Sequence, residues 1–135
     1  MLLFISLKVK NKMKTDKTTT IDELKSEMKK FVREREWEQF HHPKDLALSL
    51  SLETSEVLEL FQWNNKTLEE LKKDPEFMEN MKDELADVLT HTLNLCNYLE
   101  IDLSDSFEKK LVKSAKKYPI HLAKGKSDKY TKLHK

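Results

Sequence analysis

The sequence is poor in residues that build tight turns, with one glycine and three prolines among 135 residues. Glycine-rich phosphate loops and Rossmann turns require backbone conformations that only glycine adopts readily, so both are excluded. An all-β fold is also disfavoured, because its hairpins need many such turn residues. The length fits one domain, and 38% hydrophobic residues are enough for a single modest core. We therefore expect one helical domain.

Cysteine is nearly absent, since Cys96 is the only one. The chain has no internal disulfide and no cysteine-based zinc site, which favours a reducing, cytoplasmic location. Cys96 shares a helix face with Leu85 and Leu89, so we expect it in the core rather than as a nucleophile. No segment has the length of a membrane-spanning helix, and the apolar residues 1–7 resemble no signal peptide. The sequence thus predicts no membrane partner.

Charge is distributed unevenly, although the net formal charge is only +1. Residues 1–30 carry +4, residues 31–108 carry −12 and residues 109–135 carry +9. An acidic middle followed by a basic end suits a site that holds a cation together with an anionic ligand. Charged faces and solvated tails produce the same pattern, so the asymmetry alone is weak evidence.

Apolar periodicity and turn signals divide the chain into three parts. Residues 1–20 are predicted to form a flexible arm in which Met13 is an alternative start, 21–119 a helical domain and 120–135 a basic tail or arm. The predicted helices, with Asp22 and Ser104 as caps of the first and last, run from Ile21 to about Trp37, Lys44 to Trp63, Leu68 to Lys73, Pro75 to about Tyr98 and Asp105 to about Lys117.

Acidic residues occur on faces of these helices that are otherwise apolar. At about 100° per residue, Glu53 lies on the same side as Leu46, Val57 and Leu60, and Glu56 lies about 60° away. The same count for the next long helix places Glu84 beside Phe77, Val88, His91 and Leu95, with Asp87 one turn along. Both acid pairs are therefore expected at the contact between the two helices.

Four converging carboxylates repel one another, and burying a carboxylate costs free energy without a compensating charge. A divalent cation removes both problems. Ligation by carboxylates alone favours hard ions, Mg²⁺ first and Mn²⁺ as an alternative, over zinc. The competing interpretation is that these are surface acids paired with lysines at helical spacing.

Four sequence blocks resemble a known family. They are Trp37-Glu-Gln-Phe-His41, Glu53-Thr-Ser-Glu-Val-Leu-Glu-Leu-Phe-Gln-Trp63, Asp83-Glu-Leu-Ala-Asp87-Val-Leu and Lys116-Lys-Tyr118-Pro119. Over residues 21–130 the chain resembles the all-α MazG-like nucleotide pyrophosphohydrolases, most of all the dCTP pyrophosphatase branch. The resemblance implies a four-helix-bundle-like fold, assembled as a homodimer or homotetramer. It also implies Mg²⁺-dependent hydrolysis of nucleoside triphosphates, often deoxy or non-canonical, to the monophosphate and pyrophosphate.

The resemblance also assigns roles to residues at matching positions. The metal ligands are Glu53, Glu56, Glu84 and Asp87, and Glu59 orients a water or holds a second ion. The substrate contacts are Trp37 and Trp63 around the base, His41 on the base or a phosphate, His91, and Lys110, Lys117 and Tyr118 at the phosphates. Without the family, the two tryptophans read as core residues and the lysines as a solvated face.

Three positions depart from the family pattern. Met28 stands where the dCTP branch has histidine, His91 where relatives have an aromatic residue and Ser114 where many have asparagine. The acid set is complete, so these departures leave the reaction class intact and the preferred base open.

Two other functions compete with this interpretation. A di-iron carboxylate bundle needs the Glu-x-x-His motif twice, and it occurs once, at Glu38 and His41. The second is a non-catalytic protein, either a helical dimerisation module or a nucleic-acid binder that uses the lysine-rich end. Strong, salt-dependent affinity for DNA would support it. Apolar faces at Leu93 and Leu111 predict a second copy of the chain as a partner.

Overall fold

The computed structural model describes residues 13–134, and all regular secondary structure in this range is helical. The α-helices are α1 (Ile21–Glu34), α2 (Pro43–Glu59), α3 (Leu68–Lys72), α4 (Pro75–Tyr98), α5 (Leu103–Lys117), α6 (Ile120–Ala123) and α7 (Tyr130–Leu133). A short 3-10 helix, Trp37–Phe40, lies between α1 and α2. The all-α fold class is confirmed. Within the described range no helix is long and apolar enough to cross a membrane.

Helix α4 is the centre of the fold. It packs along most of α2, along part of α1 and against α3, whereas α5 has only slight contact with the other helices. The buried apolar side chains are Val32, Leu46, Leu93 and Cys96. The core position of Cys96 is confirmed. The expectation of an exposed Leu93 is wrong, because Leu93 lines the cleft between α1 and α4 and is 5% exposed.

Side-chain caps set the N-termini of α1 to α5. Thr20 caps α1, where its Oγ1 accepts from the Glu23 amide at 3.1 Å and its own amide donates to Glu23 Oε2 at 2.6 Å. The prediction that Asp22 caps α1 is therefore wrong, although α1 begins at the predicted residue, Ile21. Similarly, Asp102 rather than Ser104 caps α5, which begins at Leu103. A capping box satisfies two backbone groups at once and fixes the helix start.

Two long helices end several residues earlier than predicted, and α3 ends one residue earlier, at Lys72. Helix α1 ends at Glu34, because Glu36 adopts a left-handed backbone with φ 53° and Trp37 begins the separate 3-10 helix. Helix α2 ends at Glu59 rather than Trp63. Trp63 itself has φ 59°, a conformation that helices cannot continue through. By contrast, α4 has the predicted bounds, with Pro75 in its first turn.

The segment predicted as a basic tail contains two short helices, α6 and α7. The Tyr130 ring lies 6.1 Å from the Tyr118 ring, and Lys117 Nζ lies 5.0 Å from the same Tyr130 ring. His134 Nε2 donates to the Lys117 carbonyl at 2.9 Å. Residues 1–12 of the predicted arm lie outside the described residues. The domain bounds at 21 and 119 stay a prediction.

Candidate metal centre

Three carboxylates meet where α2 packs on α4. Oxygen atoms of Glu53, Glu84 and Asp87 all lie within 4.8 Å of one another. Glu53 and Glu84 are half-buried and Asp87 is exposed. The two helices bring these residues together because their apolar faces must pack on each other and the acids share those faces. The sequence-based placement of Glu53 and Glu84 on the inner faces is confirmed.

Glu84 has no ion-pair partner among residues 13–134. Burial raises the pKa of the Glu84 carboxyl above its ordinary value, and the negative charges of Glu56, Asp87 and Glu53 raise it further. Glu84 Oε2 is buried, and among residues 13–134 it has no hydrogen-bond partner. A buried carboxylate oxygen without a donor, in a group of carboxylates, fits a hard divalent cation. The residues present therefore fit a metal such as Mg²⁺.

The remaining predicted acids lie further along α2. Glu56 is exposed, and its negative charge is close enough to Glu84 to raise the pKa of the Glu84 carboxyl. Glu59 is the exposed last residue of α2, and in the described range its side chain has neither a hydrogen bond nor an ion pair. Glu56 thus adjoins the cluster, whereas Glu59 stands one turn beyond it.

His91 contacts the cluster directly. Its Nε2 lies 3.3 Å from Glu53 Oε1, and its Nδ1 is buried and unpartnered among the described residues. The sequence predicts His91 at the substrate, and the structure places it against Glu53. When protonated, His91 supplies the positive charge that Glu53 otherwise lacks.

A row of rings runs from Tyr98 on α4 to Phe31 on α1. The ring of Trp37 lies 5.8 Å from that of Phe31 and 6.4 Å from that of His41, and the His41 ring lies 5.8 Å from that of Tyr98. All are edge-to-face contacts, a favourable arrangement for aromatic groups. Burial, and then the positive charge of His91, lower the pKa of His41 below its ordinary value. Trp37 and His41 thus lie together, and their role toward substrate stays a prediction.

Asn94 is a residue of this region that the sequence analysis missed. It is 3% exposed, and its Nδ2 lies 3.2 Å from His41 Nδ1. Its position on α4, three residues after His91 on the same side of the helix, is the signal that would have found it.

A cleft between α1 and α4 adjoins the cluster. Its volume is about 450 Å³, and Asp87 is one of its walls. The other lining residues are mostly apolar and include Leu24, Met28, Phe31, Leu89, Thr90 and Leu93. An apolar cleft of this size with a carboxylate at one wall suits an uncharged ring beside a cation-binding site.

Four predicted substrate contacts lie apart from the cluster. Trp63 is 91% exposed. Lys110 is exposed on α5 and has no ion-pair partner between residues 13 and 134, and Lys117 and Tyr118 contact Tyr130 of α7. In the part of the chain that the structure describes, none of the four contacts Glu53, Glu84 or Asp87.

Comparison with known proteins identifies the family. Residues 48–133 match the MazG-like family. The chain is 37% identical over 117 residues to human dCTP pyrophosphatase 1 and 35% identical over 115 residues to the mouse protein, in each case covering 84% of this chain and 68% of the relative. A crystal structure of a pyrophosphatase from Archaeoglobus fulgidus superposes with TM-score 0.68 at 34% identity, covering 80% of this chain and 99% of that one.

The chain therefore belongs to the MazG-like family. Together with the pyrophosphatase relatives, this membership makes it a nucleotide pyrophosphohydrolase. The enzymatic interpretation is confirmed over the non-catalytic one.

The raised pKa of Glu84 predicts how the metal-free protein responds to pH. At a pH above the raised pKa of Glu84 in the folded protein, the ionised carboxylate lowers the free energy of unfolding. This destabilisation is lost as the pH falls to 4.5, the ordinary pKa of a glutamate, and below. Glu84→Gln should therefore raise the thermal midpoint in EDTA at neutral pH, and its advantage over wild type should shrink as the pH is lowered toward 4.5.

Asp83→Asn, which removes an exposed carboxylate of α4 outside the cluster, is the control and should change little. Thermal denaturation by circular dichroism measures both. A lower midpoint for Glu84→Gln at neutral pH would contradict repulsion within the cluster.

Proposed function

We propose that the protein is a Mg²⁺-dependent nucleoside triphosphate pyrophosphohydrolase that converts a dCTP-like or non-canonical deoxynucleotide to its monophosphate and pyrophosphate. The observation that carries the proposal is the approach of Glu53, Glu84 and Asp87 within 4.8 Å, where the buried Glu84 Oε2 lacks a donor among residues 13–134. The dCTP pyrophosphatase relatives support the deoxycytidine preference. Clearance of unwanted nucleotides follows from this activity, and a cytoplasmic location stays a prediction from cysteine content.

The acid cluster binds the cation in this proposal. Glu53, Glu84 and Asp87 hold Mg²⁺, and Glu56 completes the set beside Glu84. Mn²⁺ has similar ligand preferences and is expected to substitute. When bound, Mg²⁺ offsets the negative charge of the triphosphate and of the transition state. His91 keeps Glu53 in place through the 3.3 Å contact with its carboxylate.

The reaction is hydrolysis without a covalent enzyme intermediate. Water attacks the α-phosphorus, the bond from that phosphorus to the bridging oxygen breaks, and pyrophosphate leaves with the bonding electrons. Glu59, exposed one turn after Glu56, orients the water or holds a second ion. Lys110, which has no partner in residues 13–134, and the Lys117–Tyr118 pair neutralise phosphate charge, as the family resemblance implies.

The nucleoside lies against the ring row and the α1–α4 cleft. Trp37 and His41 supply an aromatic wall and a hydrogen-bonding group near the cluster. Met28 gives the cleft an apolar wall. The family resemblance places a histidine at this position in the dCTP branch. The Trp63 indole, almost fully exposed, offers a flat surface on which a base can stack.

Exposed apolar side chains favour assembly as a homodimer or homotetramer. The core of one chain is small, while α2 and α5 expose large apolar residues, namely Leu48, Leu52, Leu58, Phe107, Leu111 and Val112. Helix α5 in particular has little contact with its own chain. Apolar faces of this extent are typical of surfaces that a partner covers.

Loss of a cluster carboxylate should abolish turnover. Asp87→Asn removes one negative ligand while keeping its shape, so we expect kcat to fall at least about 100-fold. Asp83→Asn, one turn earlier on α4, should retain activity. The assay follows pyrophosphate and phosphate release from a panel of dNTPs and NTPs, including modified cytosines, with Mg²⁺ and with EDTA.

Full activity of Asp87→Asn would overturn the assignment of the cluster. Absence of pyrophosphate release from every nucleotide by folded wild-type protein with Mg²⁺ would refute the proposed reaction.

Trp63→Ala tests the stacking surface. Because the indole is 91% exposed, its removal should leave stability nearly unchanged while KM rises several-fold and base discrimination weakens. Leu68→Ala, another large exposed apolar side chain, is the control. An unchanged substrate profile would remove Trp63 from the substrate site.

Leu111→Lys tests the assembly. A charge on the exposed apolar face of α5 should shift the species seen by light scattering toward the monomer, whereas Lys113→Ala on the same helix should not. A monomeric wild-type protein at micromolar concentration would contradict the homo-oligomer.

A further inference from the structure

Asn94 links the middle of the fold to the substrate side of the site. It lies on α4, is 3% exposed, and its side-chain amide lies 3.2 Å from the ring nitrogen Nδ1 of His41. His41 follows the 3-10 helix and directly precedes His42, the N-cap of α2. One hydrogen bond therefore joins two elements that are 53 residues apart.

The chemistry of this bond determines which His41 nitrogen carries the proton. An asparagine Nδ2 can only donate, so His41 Nδ1 must accept and the ring proton belongs on Nε2. Burial and the positive charge of His91 lower the pKa of His41, which favours the neutral ring. His41 Nε2 has no hydrogen-bond partner within residues 13–134, so an N–H donor remains free.

The rings next to His41 do not determine which of its nitrogens carries the proton. Trp37 and Tyr98 meet the His41 ring edge-to-face, which restrains its plane through packing. Such contacts do not distinguish Nδ1 from Nε2, because both ring edges are similar in shape. Within residues 13–134, the contact that selects one tautomer is the hydrogen bond from Asn94.

We propose that Asn94 is a positioning residue that holds His41 as the Nε2–H tautomer and thereby presents one N–H donor to an acceptor atom of the nucleotide. This inference rests on the proposed function, in which His41 contacts the substrate. The acceptor is an oxygen or ring nitrogen of the base, or a phosphate oxygen, and all three accept from an N–H donor in the same way.

Nitrogen NMR of the histidine side chains tests the tautomer without any substrate. In wild-type protein His41 should carry its proton on Nε2. Asn94→Asp replaces the donor by an acceptor of the same shape, so the proton should move to Nδ1; Asn94→Ala should give a mixture of tautomers. Asn97→Ala is the matched control, because the Asn97 amide lies on the same helix but donates to the Lys25 carbonyl at 2.9 Å.

Kinetics then test the role toward substrate. Asn94→Ala and Asn94→Asp should each raise KM roughly tenfold while kcat changes less than about threefold, because the chemistry at the acid cluster is untouched. His41→Ala should have a similar effect, and the double variant Asn94→Ala/His41→Ala should lose no more than either single one. Asn97→Ala should keep the wild-type KM.

The substrate panel locates the acceptor. A KM increase that depends on the base places the acceptor on the base, and an equal increase for all nucleotides places it on the triphosphate. Both results support the proposal.

If the wild-type enzyme is active but His41 carries its proton on Nδ1, the role proposed for Asn94 is overturned, while the proposed function stands. Additive losses in the double variant would also overturn it. If Asn94→Ala fails to fold, the wild-type spectrum together with the isosteric Asn94→Asp decides the question. Failure of wild-type protein to hydrolyse any nucleotide refutes the proposed function instead, and the two failures are distinguishable.

Discussion

Mutual repulsion of carboxylates at the contact between α2 and α4 is the constraint on which the rest of the molecule depends. Helix α4 packs more extensively on α2 than on any other described helix. The acids lie on the faces through which these two helices pack. Packing and repulsion therefore act on the same pair of helices in opposite directions. A cation bound between the carboxylates would replace their repulsion by attraction to a shared positive charge. Metal binding and the packing of α2 on α4 are therefore coupled.

Helices α1, α2 and α4 and the 3-10 helix each contribute a separate property to this region. Helices α2 and α4 supply charge, α1 supplies an apolar wall, and the 3-10 helix with His41 supplies rings and one hydrogen-bonding group. The histidines differ in their surroundings: His91 touches a carboxylate, whereas His41 faces an amide and two rings. The region thus combines an anionic cluster, where α2 meets α4, with an aromatic group at His41.

The positions of α2 and α4 and of their acids could be predicted from sequence because apolar periodicity and acid spacing coincide there. Helix ends were harder to predict. Thr20 and Asp22, or Asp102 and Ser104, are equally good caps by residue type, and the choice depends on which side chain reaches a backbone amide. Leu93 was misassigned because α1 covers a second face of α4, which periodicity on one helix does not reveal. Asn94 was missed because a polar residue in a helix usually indicates solvent, and its burial follows only from the position of His41.

At Trp63, folding and the proposed stacking on the base place different demands on one position. Its left-handed backbone, with φ 59°, is one that glycine adopts freely and that costs a bulky residue about 1 kcal/mol. At 91% exposure the indole recovers little of that cost by burial. Selection for folding alone would replace this tryptophan with glycine or asparagine. Variants selected only for thermal stability would accordingly be expected to lose the Trp63 indole, whereas variants selected for enzymatic activity would keep it.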